Sequence, residues 1–131
     1  MQEPLVQLRT PLTPEYAATV RLFLAESGRH FHAEAEPIAD LMIAATEAFA
    51  LAAKALHNTS DPATFSVEVN SSGEAIQVLI SATNGFNYDH NHKSDSGDIS
   101  GDISGAAIIE GLFPGLNPSG SQTLRLSIPT S

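Results

Sequence analysis

The spacing of apolar residues changes from a helical period to a strand period near the middle of this 131-residue chain. In the first half, apolar residues recur every three or four positions. In the middle they alternate with mainly polar ones, from Phe65 to Val69 and again from Ile76 to Ile80. Side chains on a strand point to opposite faces in turn, so one pattern cannot serve both kinds of structure. The chain must therefore combine helices with a sheet that buries one face.

The first elements are a short edge strand from Leu5 to Thr10, closed by Pro11, and a helix that follows it. Thr13 and Pro14 are typical of a helix start, with a hydroxyl cap and a proline at the first helical position. Gly28 is typical of a helix end. The sequence thus predicts a first helix that runs from a Thr13 cap to Gly28.

The second predicted helix is the longest element. It starts at Pro37 and ends between His57 and Ser60, where residues typical of turns accumulate. Its apolar residues recur at helical spacing and predict one face turned toward the core. That face consists of Ile38, Leu41, Met42, Ala45, Phe49, Ala52 and Leu56.

The second half predicts a hairpin that turns at Ser71-Ser72-Gly73, then a polar stretch, a short helix capped by Ser104, and a last strand from Leu124 to Ile128. The polar stretch, residues 87–104, has too little apolar surface to fold by itself, so we expect a mobile loop. Taken in order, these elements predict one α+β domain over residues 1–131, a two-layer sandwich with helices on one face of a mixed or antiparallel sheet.

Composition excludes some classes of partner. The formal net charge of −9 would repel a phosphate backbone, so nucleic acid is not expected as a ligand. The chain has no cysteine, which fits a reducing cytoplasm. No apolar run reaches the roughly 20 residues that span a bilayer, and the first ten residues lack a targeting pattern, so no membrane association is expected.

Two stretches, LVQLRTPLTPEYAATVRLFLAE and IADLMIAATEAF, carry a family resemblance. They resemble the anti-sigma factor serine kinases of the RsbW and SpoIIAB family, within the histidine-kinase-like (GHKL) ATPases. The resemblance implies the Bergerat ATPase fold and a cytoplasmic homodimer that binds protein partners. One partner would be a sigma factor, and the other a small antagonist protein that the family phosphorylates on serine. The resemblance also implies a dimer and partner surface on the first helix and the strand before it, where Tyr16 and Arg21 would be anchors. The alternative is that Tyr16 packs on the sheet and Arg21 covers it with its methylene stem.

The same resemblance identifies the positions of an ATP site. Family members place a catalytic glutamate and, four residues later, a magnesium-binding asparagine on the second helix; here these positions hold Glu47 and Leu51. The residue that accepts the adenine amino group is an aspartate in the family and Thr83 here, with Gly85 shortly after it. A phosphate-binding turn with two glycines keeps one of them, Gly105. Leucine offers no oxygen to magnesium, so the resemblance implies a degenerate site with no cofactor and at most weak binding of Mg-ATP.

Other interpretations stay open at this stage. Glu47 can be one residue of an ordinary solvated helix face, together with Asp40 and Lys54. His90 and His92 are close to several aspartates, but their spacing matches no common metal site, so a solvated loop is favoured and no metal is expected. The main functional hypothesis is a partner-binding regulator. The alternatives are an active serine/threonine-protein kinase of the anti-sigma factor type and a small-molecule sensor that uses the vestigial pocket.

Overall fold

A computed structural model describes residues 5–54, 63–86, 105–114 and 123–130 of the chain. The elements are β1 (Leu5–Pro11), a 3-10 turn (Pro14–Tyr16), α1 (Ala17–His30), α2 (Ala35–Lys54), β2 (Thr64–Ser71), β3 (Ala75–Ala82), α3 (Gly105–Leu112) and β4 (Thr123–Pro129). The predicted mobile loop at 87–104 and the predicted end of the second helix at 57–60 lie outside the described residues.

The four strands form a single antiparallel sheet in the order β1-β2-β3-β4. Val67 of β2 lies between Leu8 of β1 and Ile80 of β3, and Leu124 of β4 lies opposite Ile80. These residues belong to one face, since side chains on neighbouring strands point the same way at paired positions. The alternating pattern therefore brings all strands into one register, and the predicted α+β sandwich is confirmed with a fully antiparallel sheet.

The core lies between one face of the sheet and the helices. Along β2 and β3, every second side chain is buried, and the same alternation holds in β4. The fully buried large side chains come from the sheet and all three helices: Phe65, Leu24, Leu41, Ile76, Ile80, Ile109, Leu124, Val20, Val67, Val69 and Val78. The other face of the sheet carries mainly polar residues, so the sandwich has two layers.

The second helix, α2, is the central helix, because it contacts both α1 and α3. The predicted core face is buried at Ile38, Leu41, Ala45, Phe49 and Ala52, with Met42 partly buried, while Leu56 lies outside the described residues. Ala44, Ala48 and Leu51 are buried as well. Because α1 and α3 both pack against α2, the buried stripe of α2 is wider than that of a helix packed on the sheet alone. This wider burial places Leu51 inside the protein.

The first helix, α1, corrects two expectations. Thr13 makes no side-chain capping bond, because a 3-10 turn from Pro14 to Tyr16 comes first and α1 begins only at Ala17. Gly28 does not end the helix, which continues to His30. Instead, Gly28 is where α1 meets α2: a Cβ atom there would lie 2.7 Å from Cγ1 of Ile38. The glycine is needed for close helix packing rather than for a turn.

A tight turn joins α1 to α2. His32 takes the left-handed backbone conformation with a φ of 68°, and the backbone N–H of Ala33 donates to the carbonyl of Gly28 at 2.8 Å. Ala33 also forms an isolated antiparallel bridge with Thr130, just after β4. The turn is thus held against the end of the sheet, which fixes the start of α2. In the described parts of the chain, no helix has the length and apolarity needed to cross a membrane.

Candidate functional site

Two of the site positions expected from the sequence lie one turn apart on α2. Glu47 is half-buried, and Leu51 is only 5% exposed. Residues four apart on a helix point to the same side, so both side chains lie on one face of α2. Leu51 belongs to the main core cluster, as expected for an ordinary apolar residue at this position. Burying such a side chain contributes about 1.5–3 kcal/mol to the free energy of unfolding.

Gly105, the first residue of α3, lies against this pair. A Cβ atom on Gly105 would come within 3.0 Å of Oε1 of Glu47 and 3.4 Å of Cγ of Leu51. The 3.0 Å contact is tighter than nine in ten real Cβ contacts, so a side chain at this position would push the carboxylate away by a few tenths of an ångström. The structure therefore brings together three expected site residues that are distant in sequence, and the missing side chain at Gly105 allows the approach.

Thr83, which replaces the expected aspartate, is hydrogen-bonded to Thr64 at the start of β2. The backbone N–H of Thr64 donates to Oγ1 of Thr83 at 2.8 Å, and the two hydroxyls are 3.2 Å apart. The Thr83 hydroxyl is also 3.3 Å from the Thr64 carbonyl, and the Thr83 backbone N–H donates to that same carbonyl at 3.0 Å. These bonds direct the Thr83 side chain to the neighbouring strand and close the end of the hairpin.

Gly85 lies in the turn that follows β3. Its φ of 73° falls in the left-handed region, and its backbone N–H donates to the Ala82 carbonyl at 3.1 Å. A side chain would be strained in this conformation, which explains why the position needs glycine. Asn84, the other polar residue of the turn, is exposed. Gly85 therefore has a conformational role here that does not depend on a bound nucleotide.

A groove between α1 and α2 extends the site beyond Glu47. It has a volume of about 370 Å³ and is lined by Arg21, Ala39, Met42, Ile43, Thr46 and Glu47. Arg21 and Glu47 supply opposite charges along a mainly apolar wall. Thr46 does not offer its proton to a ligand in this arrangement, because its hydroxyl donates to the Met42 carbonyl at 2.8 Å. Arg21, expected at a partner surface from the sequence, thus lines the same groove as Glu47.

Two exposed apolar side chains were missed by the sequence analysis. Leu22 on α1 is 69% exposed and Ile43 on α2 is 46% exposed. Neither residue occupies a position of the helical repeat that predicted the core. An apolar residue outside that repeat is the sequence signal that could have identified both. Single exposed apolar residues are common on protein surfaces, so the more informative of the two is Ile43, which also belongs to the apolar wall of the groove.

The chemistry offered by the described side chains is limited. No group of three or more histidine, cysteine, aspartate or glutamate residues in the described ranges is arranged to hold a metal ion. The candidate pair His90 and His92 lies outside these ranges. Next to Glu47, the side chain one turn further along is the buried hydrocarbon of Leu51, which cannot ligate a hard cation. Leu51 therefore supplies no magnesium ligand at this position.

Comparison with known proteins identifies the domain type. A sequence model of the histidine kinase-like ATPase domain matches residues 10–113, which include Glu47, Leu51, Thr83, Gly85 and Gly105. No curated protein matches the chain significantly. The matched region runs from the last two residues of β1 through α3, so all three helices of the described fold fall within it.

Proposed function

Since this chain belongs to the histidine kinase-like ATPase domain family, we propose that it is an anti-sigma-factor-like regulator that acts by binding protein partners and has a degenerate ATP site. The observation that carries the proposal is Leu51. It occupies the position where the resemblance expects a magnesium ligand, and it is 5% exposed. A side chain that bound magnesium there would need an oxygen atom. The apolar side chain of Leu51 packs into the core instead.

Two further contacts support a site that has lost nucleotide binding. Thr83 stands where an aspartate would accept the adenine amino group, and its hydroxyl already accepts a hydrogen bond from the Thr64 backbone. Threonine also brings no negative charge to strengthen a bond to the base. A Cβ atom on Gly105 would lie 3.0 Å from Oε1 of Glu47, so little room is left between the carboxylate and the start of α3. Each of these contacts involves a different part of the expected nucleotide site.

The surface of α1 and α2 supports the partner-binding half of the proposal. Arg21 lines the groove with Met42 and Ile43, and Leu22 and Ile43 are exposed. Arginine and methionine, the residue types of Arg21 and Met42, are enriched at protein interfaces, which have a polar rim. The partner would be a sigma factor or an anti-sigma antagonist-like protein, and the regulator would act as a homodimer in the cytoplasm.

A thermal-shift titration with ATP tests the nucleotide part of the proposal. The protein is titrated with ATP in the presence of magnesium and, separately, with a chelator. A ligand at 100 times its dissociation constant would stabilise the fold by about 2.7 kcal/mol, an effect easily seen in the melting temperature. We expect no magnesium-dependent shift. A clear shift that requires magnesium would favour the alternative, an active serine/threonine-protein kinase.

A variant of Arg21 tests the partner surface. Arg21→Glu should weaken self-association or partner capture by about 1 kcal/mol or more and leave the melting temperature almost unchanged, because the side chain lies at the surface of α1. Sedimentation and pull-down experiments measure both forms of binding. The matched control is Arg29→Glu, which makes the same charge change on the same helix outside the groove. If the parent protein and Arg21→Glu associate equally, the interface lies elsewhere on the fold.

A further inference from the structure

The last strand, β4, lies at the edge of the sheet. It pairs with β3 on one side, and within the described residues no strand pairs with its other side between Leu124 and Ile128. Only Thr130, beyond the strand, forms a bridge, with Ala33. An edge strand presents backbone N–H and C=O groups that can pair with another extended chain. About five residues of this edge can therefore accept an added strand, a length of roughly 17 Å.

A groove of about 620 Å³ runs beside this edge. Its walls come from the first turn of α2, the end of α3 and β4 itself, and its apolar lining includes Pro37, Leu112, Phe113 and Pro114. The groove lies about two helical turns or more before Glu47 on α2 and at the other end of α3, because α3 begins against Glu47 and ends here. It is therefore separate from the candidate nucleotide site, and an inference from it does not depend on the proposed function.

Two carboxylates line the groove. Glu36 and Asp40 lie one helical turn apart on α2; Glu36 is exposed and Asp40 is half-buried. In the part of the chain that the structure describes, the one ion pair is Arg29 with Glu26, so neither carboxylate has a described cationic partner. Arg125 also borders the groove, but it pairs with Leu79 on the side of the sheet that faces away from the helices. The helix side of the groove is thus negative and apolar.

We propose that this groove binds an extended peptide segment of a protein partner, which adds to the β4 edge and directs alternate lysine or arginine and apolar side chains toward Glu36, Asp40 and the apolar wall. Backbone pairing supplies affinity in this mode of recognition, and pockets for alternate side chains supply specificity. The peptide residues whose side chains face the other side of the sheet would be neutral, because those side chains lie near Arg125.

A designed peptide follows from this geometry. In acetyl-VTKTKTV-amide, the valines and lysines share one face and the threonines share the other. Its two lysines are about 7 Å apart on that face, which is close to the roughly 6 Å rise between residues four apart on a helix such as Glu36 and Asp40. Labelled peptide is titrated into the full chain and its anisotropy is measured, and amide NMR signals of Leu124 to Ile128 are followed in the same titration. We expect saturable binding with shifts at these amides.

Matched variants separate the groove from the overall negative charge. Glu36→Lys/Asp40→Lys should raise the dissociation constant at least tenfold. Glu15→Lys/Glu26→Lys changes the net charge by the same amount on exposed residues outside the groove, and it should change the constant less than twofold. If the two double variants weaken binding equally, attraction by net charge explains the result and the proposal is wrong. Circular dichroism on each variant establishes that it is folded.

Modified peptides test the strand pairing itself. Methylation of alternate backbone nitrogens blocks hydrogen bonds on one side of an extended chain, so one of the two alternate sets should abolish binding and the other should leave most of it. The acidic analogue acetyl-VTETETV-amide should not bind. Equal binding of both methylated peptides, or amide shifts confined to the region of Glu47, would overturn the inference. Failure of the peptide to bind at all would also overturn it, whatever the result of the ATP titration.

Discussion

The close contact between α1 and α2 at Gly28 makes a sharp prediction about packing. A Cβ atom at Gly28 would lie 2.7 Å from Cγ1 and 2.9 Å from Cδ1 of Ile38. Cγ1 is attached to a branched Cβ on a helix, where few rotamers are allowed, and Ile38 is only 6% exposed. The isoleucine therefore cannot swing away, and Gly28→Ala must push the two helices apart or strain the side chain.

The magnitude follows from two opposing effects. Overpacking of a core costs about 1–3 kcal/mol. Alanine in place of glycine inside a helix restores about 1 kcal/mol. Gly28→Ala should therefore lower the free energy of unfolding by about 0–2 kcal/mol. Gly111 in α3 is a matched control, since a Cβ there would have no neighbour within 4 Å. Gly111→Ala should raise the free energy of unfolding by about 0.5–1 kcal/mol.

Urea unfolding of the two glycine variants and a double-mutant cycle measure these effects. Ile38→Ala alone should cost about 2–5 kcal/mol. In Gly28→Ala/Ile38→Ala the new methyl group occupies part of the vacated space, so the double variant should be more stable than the sum of the single changes predicts, by about 1 kcal/mol or more. The reasoning is refuted if Gly28→Ala stabilises the protein as much as Gly111→Ala does, or if the cycle is additive.

Three other substitutions give simple tests. Among the described residues, none is hydrogen-bonded to the buried Oγ1 of Thr10, so Thr10→Val should raise the free energy of unfolding by about 1 kcal/mol, and a loss of stability in urea would show an undetected partner. Arg29→Ala removes an exposed ion pair with Glu26 and should change that free energy by less than about 0.5 kcal/mol in the same assay. Glu47→Gln should leave self-association unchanged by sedimentation, whereas a large loss of a measured phosphotransfer activity would revive the kinase hypothesis.

The order and type of the elements could be predicted from the sequence because the two periods are clear. The alternation from Phe65 to Val69 predicts β2, and it forms part of the observed strand Thr64–Ser71. The ends of helices were less predictable. Thr13 and Gly28 have the residue types of a cap and a stop, yet a 3-10 turn follows Thr13, and Gly28 lies inside α1 packed against Ile38. A local signal is a weak guide where a residue also contacts another element.

The candidate site was predicted only as a set of positions. The resemblance selected Glu47, Leu51 and Gly105, and the structure brings them together. The bonds between Thr83 and Thr64 could not be predicted, because they depend on the register of two strands. The exposure of Ile43 depends in the same way on how far apart α1 and α2 lie. Both features are set by tertiary distances, which a single sequence does not contain.

The pairing of β1 with β2 has a consequence for how the chain folds. Leu5 pairs with Asn70 and Pro11 with Thr64, so both helices of the first half lie within the loop that this pairing closes. Contacts between residues so far apart in sequence form slowly, because the entropy of loop closure opposes them. During synthesis, the first strand leaves the ribosome long before its partner exists. Its exposed Leu5 and Val6 then stay unpaired until the hairpin is made, which is the interval in which a chaperone or a second copy of the chain would compete for them.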